Sequence, residues 1–292
     1  MTVNQPFFSI VIATYNRTNG LRDCLESLEK QEYPKERFEV IVVDDGSLTP
    51  ADEVINLFSK KINIELIKQQ NSGCGVARNN GAEKAKGQYI AFTDDDCTHP
   101  PNWLSGLEKR FLQAPKAMIG GRSINVLNKN IYSHSSQLLV DYLFNFFNSD
   151  PNNALYLNSI ALPREAFLLL GKFDTTFFMS AEDRDLCDRW LLSGNKIIYA
   201  PEIIIYHAHH LTLKSFWKQH FSYGRGAYWF YKIHITRWPQ AKARQPFSFY
   251  LNLILYPLKQ STLLQFPIVM FLFFLSQIAT ILGRIQEKYQ NQ

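Results

Sequence analysis

The sequence predicts an α/β protein with a doubly wound, mostly parallel sheet, followed by apolar helices at the C-terminal end. Short apolar runs alternate with segments of helical periodicity, two of those runs end in acidic residues, and a nearly uncharged stretch occurs close to the C-terminus. A length of 292 residues suffices for one large α/β domain with an appendage. With 46% hydrophobic and 20% charged residues, the chain is expected to be globular rather than disordered.

The N-terminal half alternates between predicted strands and predicted helices. Leu21, Leu25 and Leu28 recur at helical spacing, and the segments 54–58 and 76–86 also predict helices. Short strands that are apolar throughout and separated by helices are typical of a parallel sheet covered on both faces. Strands are predicted from apolar and β-branched runs at 7–14, 38–43, 62–67 and 88–93.

Beyond residue 100 the pattern is looser. A helix is predicted to begin at 100–104 and a strand to cover 118–124, whereas the aromatic-rich segment 142–147 fits a helix or a loop over a pocket. Residues 186–191 again carry apolar side chains at helical spacing, and an apolar run at 203–205 precedes several histidines. The second half is therefore expected to be α/β as well, with less regular connections.

Charge and cysteine content restrict the class of partner and the compartment. The net charge of +5 fits a nucleotide ligand or an anionic membrane surface, and no basic stripe with interleaved aromatic residues predicts a nucleic-acid partner. The four cysteines have no paired metal-ligand spacing, which favours free thiols in a reducing compartment. The N-terminal segment 1–6 is short and polar, so we expect no signal peptide and a cytoplasmic location for the folded part.

Acidic residues follow two predicted strands. Asp44 and Asp45 come after the second strand, and Asp94, Asp95 and Asp96 come after the fourth. Because parallel strands direct their carboxyl ends to one edge, both groups are expected to face the same crevice. Adjacent carboxylates repel one another, but they suit a divalent cation such as Mg²⁺ or Mn²⁺. The alternative is an acidic turn in contact with solvent, which is the more common meaning of a charge run.

A glycine-containing loop at 71–75 lies between a predicted strand and a predicted helix. Its glycines permit a tight backbone, and its amides can meet an anion, although a purely geometric turn explains them equally well. Arg78, one turn into the helix, can direct its guanidinium to the same crevice or lie on a solvated face.

A second group of candidate residues precedes the helix at 186–191. Ser180 and Asp183 have the spacing of a capping pair, which would stabilise a helix N-terminus by about 1 kcal/mol. Alternatively, Asp183 or Glu182 is a general base whose basicity is raised by desolvation beside aromatic residues such as Phe177 and Phe178. The two interpretations are compatible, because a cap can also position a base.

Two further residues are candidates for contacts with the ligand. His207 follows an apolar strand, so it can bind a cation that carboxylates already hold, or it can be a polar surface residue. Arg225 lies in the segment Tyr-Gly-Arg-Gly, which predicts a flexible arginine that clamps a diphosphate or a loop without such a role.

Six short motifs occur in order along the chain, at 9–17 (SIVIATYNR), 43–47 (VDDGS), 77–81 (ARNNG), 89–96 (YIAFTDDD), 171–174 (GKFD) and 182–183 (ED). With this set, the chain resembles a family 2 glycosyltransferase of the GT-A type from about residue 8 to residue 226. Each supporting motif is short, but the ordered set at these spacings is specific. Gly171-Lys172 departs from the frequent Gly-Gly, and the Gln-x-x-Arg-Trp motif of processive synthases is absent, which favours addition of single sugars.

The resemblance implies an activity, a cofactor and residue roles. It implies inverting transfer of a sugar from a nucleotide-diphospho-sugar, usually UDP- or GDP-linked, with Mn²⁺ or Mg²⁺. Asp94 and Asp96 would bind the metal together with His207. Asp183 would deprotonate the acceptor hydroxyl, with Glu182 as the second catalytic candidate. The residues implied to bind the nucleotide-sugar are Thr14, Asp45 (at the base), Arg78, Asp94, Asp95 and Arg225.

The C-terminal region predicts an association with the cell membrane. Residues 263–283 carry no charge and would be about 30 Å long as a helix, enough to span a bilayer. The run 247–258 is too short to span and fits an interfacial helix or half of a hairpin. The alternative is a pair of apolar helices packed on the catalytic domain or in a dimer. With the catalytic domain facing the cytoplasm, we expect a lipid-linked acceptor or a precursor of a cell-surface glycan.

The predicted organisation is a catalytic domain at 1–240, with a nucleotide-sugar half at about 1–100 and an acceptor half at about 101–240, followed by the apolar segment 241–292. A non-catalytic nucleotide-sugar-binding regulator with a membrane-anchoring C-terminus is the alternative function. The combined presence of Asp183 and three consecutive aspartates argues against it, because a degenerate copy is expected to lose one or the other.

Overall fold

The computed structural model describes residues 6–149, 157, 159–240, 245–261 and 264–290, and it contains one eight-stranded sheet with helices on both faces. The strands are β1 (Phe8–Thr14), β2 (Phe38–Asp44), β3 (Ile64–Lys68), β4 (Tyr89–Asp94), β5 (Cys97–Thr98), β6 (Met118–Asn125), β7 (Ile160–Pro163) and β8 (Ile197–His207). The helices are α1 (Thr18–Glu29), α2 (Asp52–Phe58), α3 (Cys74–Lys84), α4 (Trp103–Gln113), α5 (Ile131–Phe147), α6 (Arg164–Leu169), α7 (Glu182–Leu192), α8 (Leu213–Arg237), α9 (Phe247–Gln260) and α10 (Phe266–Gln290).

The N-terminal half is the predicted alternation of parallel strands and helices. β1 pairs in parallel with both β2 and β4, and β2 pairs in parallel with β3. The register places Thr14 opposite Asp44 and Ala13 opposite Asp94. The carboxyl ends of β1, β2 and β4 therefore meet at one edge, so the prediction of a shared acidic edge is confirmed.

The second half extends the sheet with a mixed pattern. The strand order is β3-β2-β1-β4-β7-β6-β8-β5, in which β7 runs antiparallel to both β4 and β6. The short strand β5 leaves the acidic edge and pairs antiparallel with β8, so that Cys97 faces His207. This pairing brings the end of β8 beside the aspartates that follow β4.

The core consists of two apolar layers, one on each face of the sheet. Alternate residues of β1 serve the two layers: Ile10 and Ile12 pack on one face, and Val11 packs on the other. Each of these side chains is fully buried, which is why the strand is apolar throughout rather than alternating. α3 lies close to the sheet because a Cβ at Gly81 would approach Val11 Cγ1 to 2.5 Å.

The C-terminal helices pack closely on the rest of the protein. α10 lies against α8, and close approach is possible because Gly224 and Gly283 face backbone carbonyls; a Cβ at either would be 2.0 Å from such an oxygen. α10 is the one helix in the described residues that is long and apolar enough to cross a membrane. The predicted apolar stretch began at residue 263, and the predicted domain boundary fell at 240–241; residues 263 and 241 lie outside the described residues, as do residues 1–5 of the polar N-terminus.

Candidate active site

The three consecutive aspartates point in different directions at the sheet edge. Asp95 is buried, accepts a hydrogen bond of 2.7 Å from the Thr14 hydroxyl and pairs with Arg17 at 3.2 Å. Burial raises the pKa of Asp95 to about 6, against the opposing effects of Arg17 and Thr14. Asp95 therefore connects the residues that follow β4 to Thr14 at the end of β1, and this hydrogen bond places Thr14 in the site.

Asp96 lies in a compact group with His207 and Cys97. One ligand atom from each residue falls within 4.8 Å of the others, and Asp96 Oδ1 is 3.2 Å from His207 Nε2. Burial opposes ionisation of Asp96, but the hydrogen bond from His207 and the charge of Arg17 outweigh it and hold the pKa of Asp96 below its ordinary value. An ionised carboxylate beside an imidazole fits a divalent cation.

Asp94 is separate from this group and faces the opposite wall of the crevice. Arg78 donates from Nη2 to Asp94 at 2.6 Å and from Nη1 to Glu182 at 2.9 Å. The Arg78 side chain is only 12% exposed, so it lies in the crevice and not on a solvated face. Arg78 thus links the acidic sheet edge to the first residue of α7.

Asp45 organises the glycine-containing loop. Its carboxylate accepts hydrogen bonds from the Gln69 side chain at 2.7 Å, from Ser72 N at 2.8 Å and from Gly73 N at 2.9 Å. Gly73 adopts a positive φ of 93°, a conformation that favours glycine. The loop amides that could meet an anion therefore meet the Asp45 carboxylate.

α7 begins in a strained conformation and without the predicted cap. Ala181, the residue before the helix, has φ of 76°, in the left-handed region that residues with a Cβ seldom adopt. The Ser180 hydroxyl donates to Ser222 O at 2.9 Å and does not cap the helix. The prediction that Ser180 and Asp183 form a capping pair is therefore wrong, because the Ser180 hydroxyl is bonded to α8 instead.

Asp183 has the altered acidity expected of a general base. Burial raises its pKa to about 7, and the adjacent charge of Glu182 adds to the effect. A helix N-terminus and the bond from Arg184 N both favour the ionised form, but they do not offset the loss of solvent. Asp183 therefore remains the candidate general base.

Arg225 is not in a flexible loop, so that expectation is wrong. It lies within α8, where Nε donates to Glu287 Oε2 of α10 at 2.5 Å. Its neighbours Gly224 and Gly226 suggest flexibility in sequence, but they serve close packing: a Cβ at Gly226 would be 2.2 Å from Ser180 Oγ. The side chain of Arg225 is therefore directed to α10.

Sequence reasoning missed Arg17 as a member of the site, and it did not predict that Cys97 lies beside His207. Arg17 pairs with Asp96 at 2.8 Å, and it follows β1 directly, at the edge where ligands bind. Its position after β1 was therefore the sequence signal that could have placed Arg17 in the site. Cys97 had no local signal, because its nearness to His207 depends on the pairing of β5 with β8.

A mostly parallel sheet whose strands β2 and β4 end in carboxylates is the arrangement expected of a GT-A type fold. The profile described as glycosyl transferase family 2 matches residues 9–172, which is more than half of the chain. The chain belongs to this family.

Curated relatives and solved structures agree with this assignment. The glycosyltransferase AglE of Haloferax volcanii is 40% identical over 106 residues, covering 36% of this chain and 35% of that protein. A pre-mycofactocin glycosyltransferase of Mycobacterium tuberculosis is 28% identical over 226 residues, covering 75% of this chain and 46% of that protein. The chain thus spans between about a third and a half of these two relatives.

Two solved structures have the same fold. The mannosyltransferase PcManGT of Pyrobaculum calidifontis, in complex with GDP-Man and Mn²⁺, superposes with a TM-score of 0.72 at 16% identity, covering 99% of this chain and 89% of that one. TarS (1-349) of Staphylococcus aureus, in complex with UDP-GlcNAc, has a TM-score of 0.57 at 17% identity, covering 98% of this chain and 92% of that one. At these identities the likeness shows the fold.

Proposed function

We propose that this protein is an inverting glycosyltransferase, which moves one sugar from a nucleotide-diphospho-sugar to an acceptor hydroxyl. The observation that carries the proposal is the pair of hydrogen bonds that Arg78 donates, one to Asp94 and one to Glu182. It sets the acidic sheet edge, where the donor diphosphate would bind, opposite the helix that carries Asp183. A basic carboxylate across a crevice from a diphosphate site is the arrangement that direct displacement requires.

The chemical step follows from the acidity of Asp183. With a pKa of about 7, a substantial fraction of Asp183 is ionised at neutral pH and still basic enough to accept a proton. As the acceptor oxygen attacks the anomeric carbon, its proton passes to Asp183 and the bond to the diphosphate breaks. A single displacement inverts the configuration, and no covalent enzyme intermediate forms.

Asp96 and His207 are the residues proposed to hold the divalent cation, with Asp94 at the same edge. When bound, the cation would neutralise charge on the leaving nucleoside diphosphate. An imidazole ligand favours Mn²⁺ over Mg²⁺, which prefers a shell of oxygen atoms. PcManGT is in complex with GDP-Man and Mn²⁺, and TarS with UDP-GlcNAc, which supports GDP- and UDP-sugars as the donors to test.

The first experiment is a screen of the full chain against UDP-, GDP- and dTDP-sugars, with MnCl₂, MgCl₂ or EDTA. We expect one nucleotide class to bind in calorimetry with a metal-dependent affinity, accompanied by slow hydrolysis of the donor. Binding without any turnover in the presence of candidate acceptors would instead favour the regulator. Absence of metal-dependent binding for all three classes contradicts the proposal.

The membrane is the proposed second partner, with the catalytic domain facing the cytoplasm. α9 and α10 expose large apolar side chains, among them Phe271 at 61% and Phe274 at 65%. Exposed apolar patches of this kind mark interaction surfaces. Because α8 packs along α10 and carries Lys218, Arg225 and Lys232, a spanning α10 would bring charges into hydrocarbon. We therefore propose that α9 and α10 lie in the interface, parallel to the membrane.

Replacing Phe271 and Phe274 together by Glu is expected to weaken binding to phosphatidylglycerol-containing vesicles by at least about 10-fold, because each buried Phe contributes about 1.5–3 kcal/mol. Co-sedimentation of the purified chain measures the effect. Leu169→Glu is the matched control, since Leu169 is 88% exposed on α6. Equal loss for the control and the double variant, or no loss for either, would count against this membrane face.

A further inference from the structure

A partly open cavity lies between the segment that leads into α7 and the helices α8 and α10. Its volume is about 130 Å³. A closed cavity of about 150 Å³ holds benzene, so this smaller and partly open cavity receives no more than one six-membered ring, with part of that ring outside it. Six side chains that give the cavity its chemistry are Phe177, Phe178, Met179, Arg225, Trp229 and Glu287.

One wall of the cavity is apolar and the other carries an ordered ion pair. Phe178 is 61% exposed, which is unusual for a phenylalanine unless it meets a ligand or a partner. On the other wall, Trp229 Nε1 donates to Glu287 Oε1 at 2.9 Å, and Arg225 donates to Oε2. Arg225 makes this bond through Nε, and its hydrogen bonds to the described residues do not use the terminal nitrogens.

This combination suits a pyranose ring. Sugar rings present an apolar C–H face and a rim of hydroxyl groups, which match an aromatic wall and a few fixed polar groups. The charge also restricts the ligand, because the Glu287 carboxylate lies at this wall and accepts hydrogen bonds from Arg225 and Trp229. A neutral sugar therefore fits better than a phosphate, which would have to compete with the Glu287 carboxylate.

The cavity adjoins both halves of the proposed reaction site. Gly226 contacts Ser180, three residues before Asp183, and a Cβ at Gly226 would be 2.4 Å from Ser180 O. On the opposite side, Phe178 contacts Gly73 of the glycine-containing loop, where a Cβ would be 2.9 Å from Phe178 Cε2. A ring in the cavity would thus lie beside the base segment and next to the loop of the donor side.

We propose that this cavity is an acceptor subsite that binds one neutral pyranose ring. Trp229 and Phe178 contact the ring, and the Arg225–Glu287 pair binds its hydroxyl groups. The proposal rests on the proposed function and adds a role for the C-terminal helix: α10 supplies Glu287 to acceptor recognition as well as an apolar face to the membrane.

The test is saturation-transfer NMR on the full chain with methyl β-D-glucopyranoside, methyl α-D-mannopyranoside and methyl N-acetyl-β-D-glucosaminide. We expect at least one glycoside to bind, and Trp229→Ala to weaken it by about 10-fold or more, the loss that 1.4 kcal/mol produces. Tyr289→Ala is the matched control, because Tyr289 is 71% exposed and lies two residues from Glu287. Metal-dependent nucleotide binding, measured in parallel, is expected to be the same in all variants.

Glu287→Gln gives a readout that a purely structural role would not produce. Removing the carboxylate charge leaves Arg225 uncompensated, so we expect affinity for methyl β-D-glucuronide to rise relative to the neutral glucoside. Binding of nucleotide without binding of any glycoside, or equal glycoside binding by wild type and Trp229→Ala, would overturn the subsite and leave the proposed function standing. If neither a nucleotide nor any glycoside binds, both the subsite and the proposed function are overturned.

Discussion

Replacing Asp183 by Asn is expected to lower the rate of sugar transfer by about 10²–10⁴-fold, the contribution that a positioned general base makes. The amide has nearly the same shape but cannot accept the acceptor proton at neutral pH. Binding of the donor and metal should persist, because the acidic edge lies across the crevice. Single-turnover transfer and calorimetric binding of the donor, measured on the same preparation, separate the two effects.

The pH dependence gives an independent check of the same residue. Burial raises the pKa of Asp183 to about 7, so the base is protonated and inactive below that pH. We expect kcat/KM to rise with pH and to level off above about 7. A carboxylate of ordinary acidity would instead level off near about 4.

Glu182→Gln distinguishes the two adjacent carboxylates. Glu182 accepts a hydrogen bond from Arg78, so its proposed role is to position Arg78 and to raise the pKa of Asp183. Removing its charge should move the acidic limb of the pH profile to lower pH and leave substantial activity. If Glu182→Gln abolishes transfer and Asp183→Asn does not, the assignment of the base is wrong.

Replacing Asp96 by Ala is expected to weaken metal-dependent donor binding by about 100-fold or more, since loss of even a supporting group at a metal site typically costs about 10–100-fold. His207→Ala should act in the same direction, because His207 lies 3.2 Å from Asp96. Isothermal titration with the nucleotide at several MnCl₂ concentrations measures both the affinity and its metal dependence.

Cys97→Ser tests whether the thiol is a ligand. Burial raises the pKa of Cys97 well above its ordinary value, so the thiol is protonated in this environment and we expect metal affinity to change little. Asp23→Ala serves as the control for general loss of acidic charge, since Asp23 is exposed on α1. Unaltered metal dependence in Asp96→Ala would place the cation elsewhere.

The parallel half of the fold was predictable because its signals are local. The run 7–14 is apolar at every position, which follows from burial on both faces of the sheet, and β1 occupies Phe8–Thr14. The carboxylates after β2 and β4 could be assigned to one edge without a structure, because parallel strands share their direction. The rule that ligands bind at that edge then indicated the acidic group 94–96, and the family resemblance implied Asp94 and Asp96 as its metal ligands.

The errors occurred where a local pattern competed with a distant contact. Ser180 has capping chemistry, but its hydroxyl donates to Ser222 of α8. The glycines around Arg225 predict flexibility when read along the chain, although in the fold they let α8 approach Ser180 and α10. Neither contact can be inferred from spacing, because each joins segments about 40–60 residues apart.

The sequence by itself determined the alternation of strands and helices in the N-terminal half and the acidic edge, because these depend on short-range periodicity and on a rule of parallel sheets, and it singled out the carboxylates at 182–183 as candidates. Only the tertiary structure decided which groups meet. The antiparallel pairing of β5 with β8 sets Asp96 beside His207, Arg78 joins Asp94 to Glu182, and α10 brings Glu287 to Arg225. The physical reason is that acidity and binding depend on desolvation and on charges a few ångströms away, which are properties of packing between distant segments.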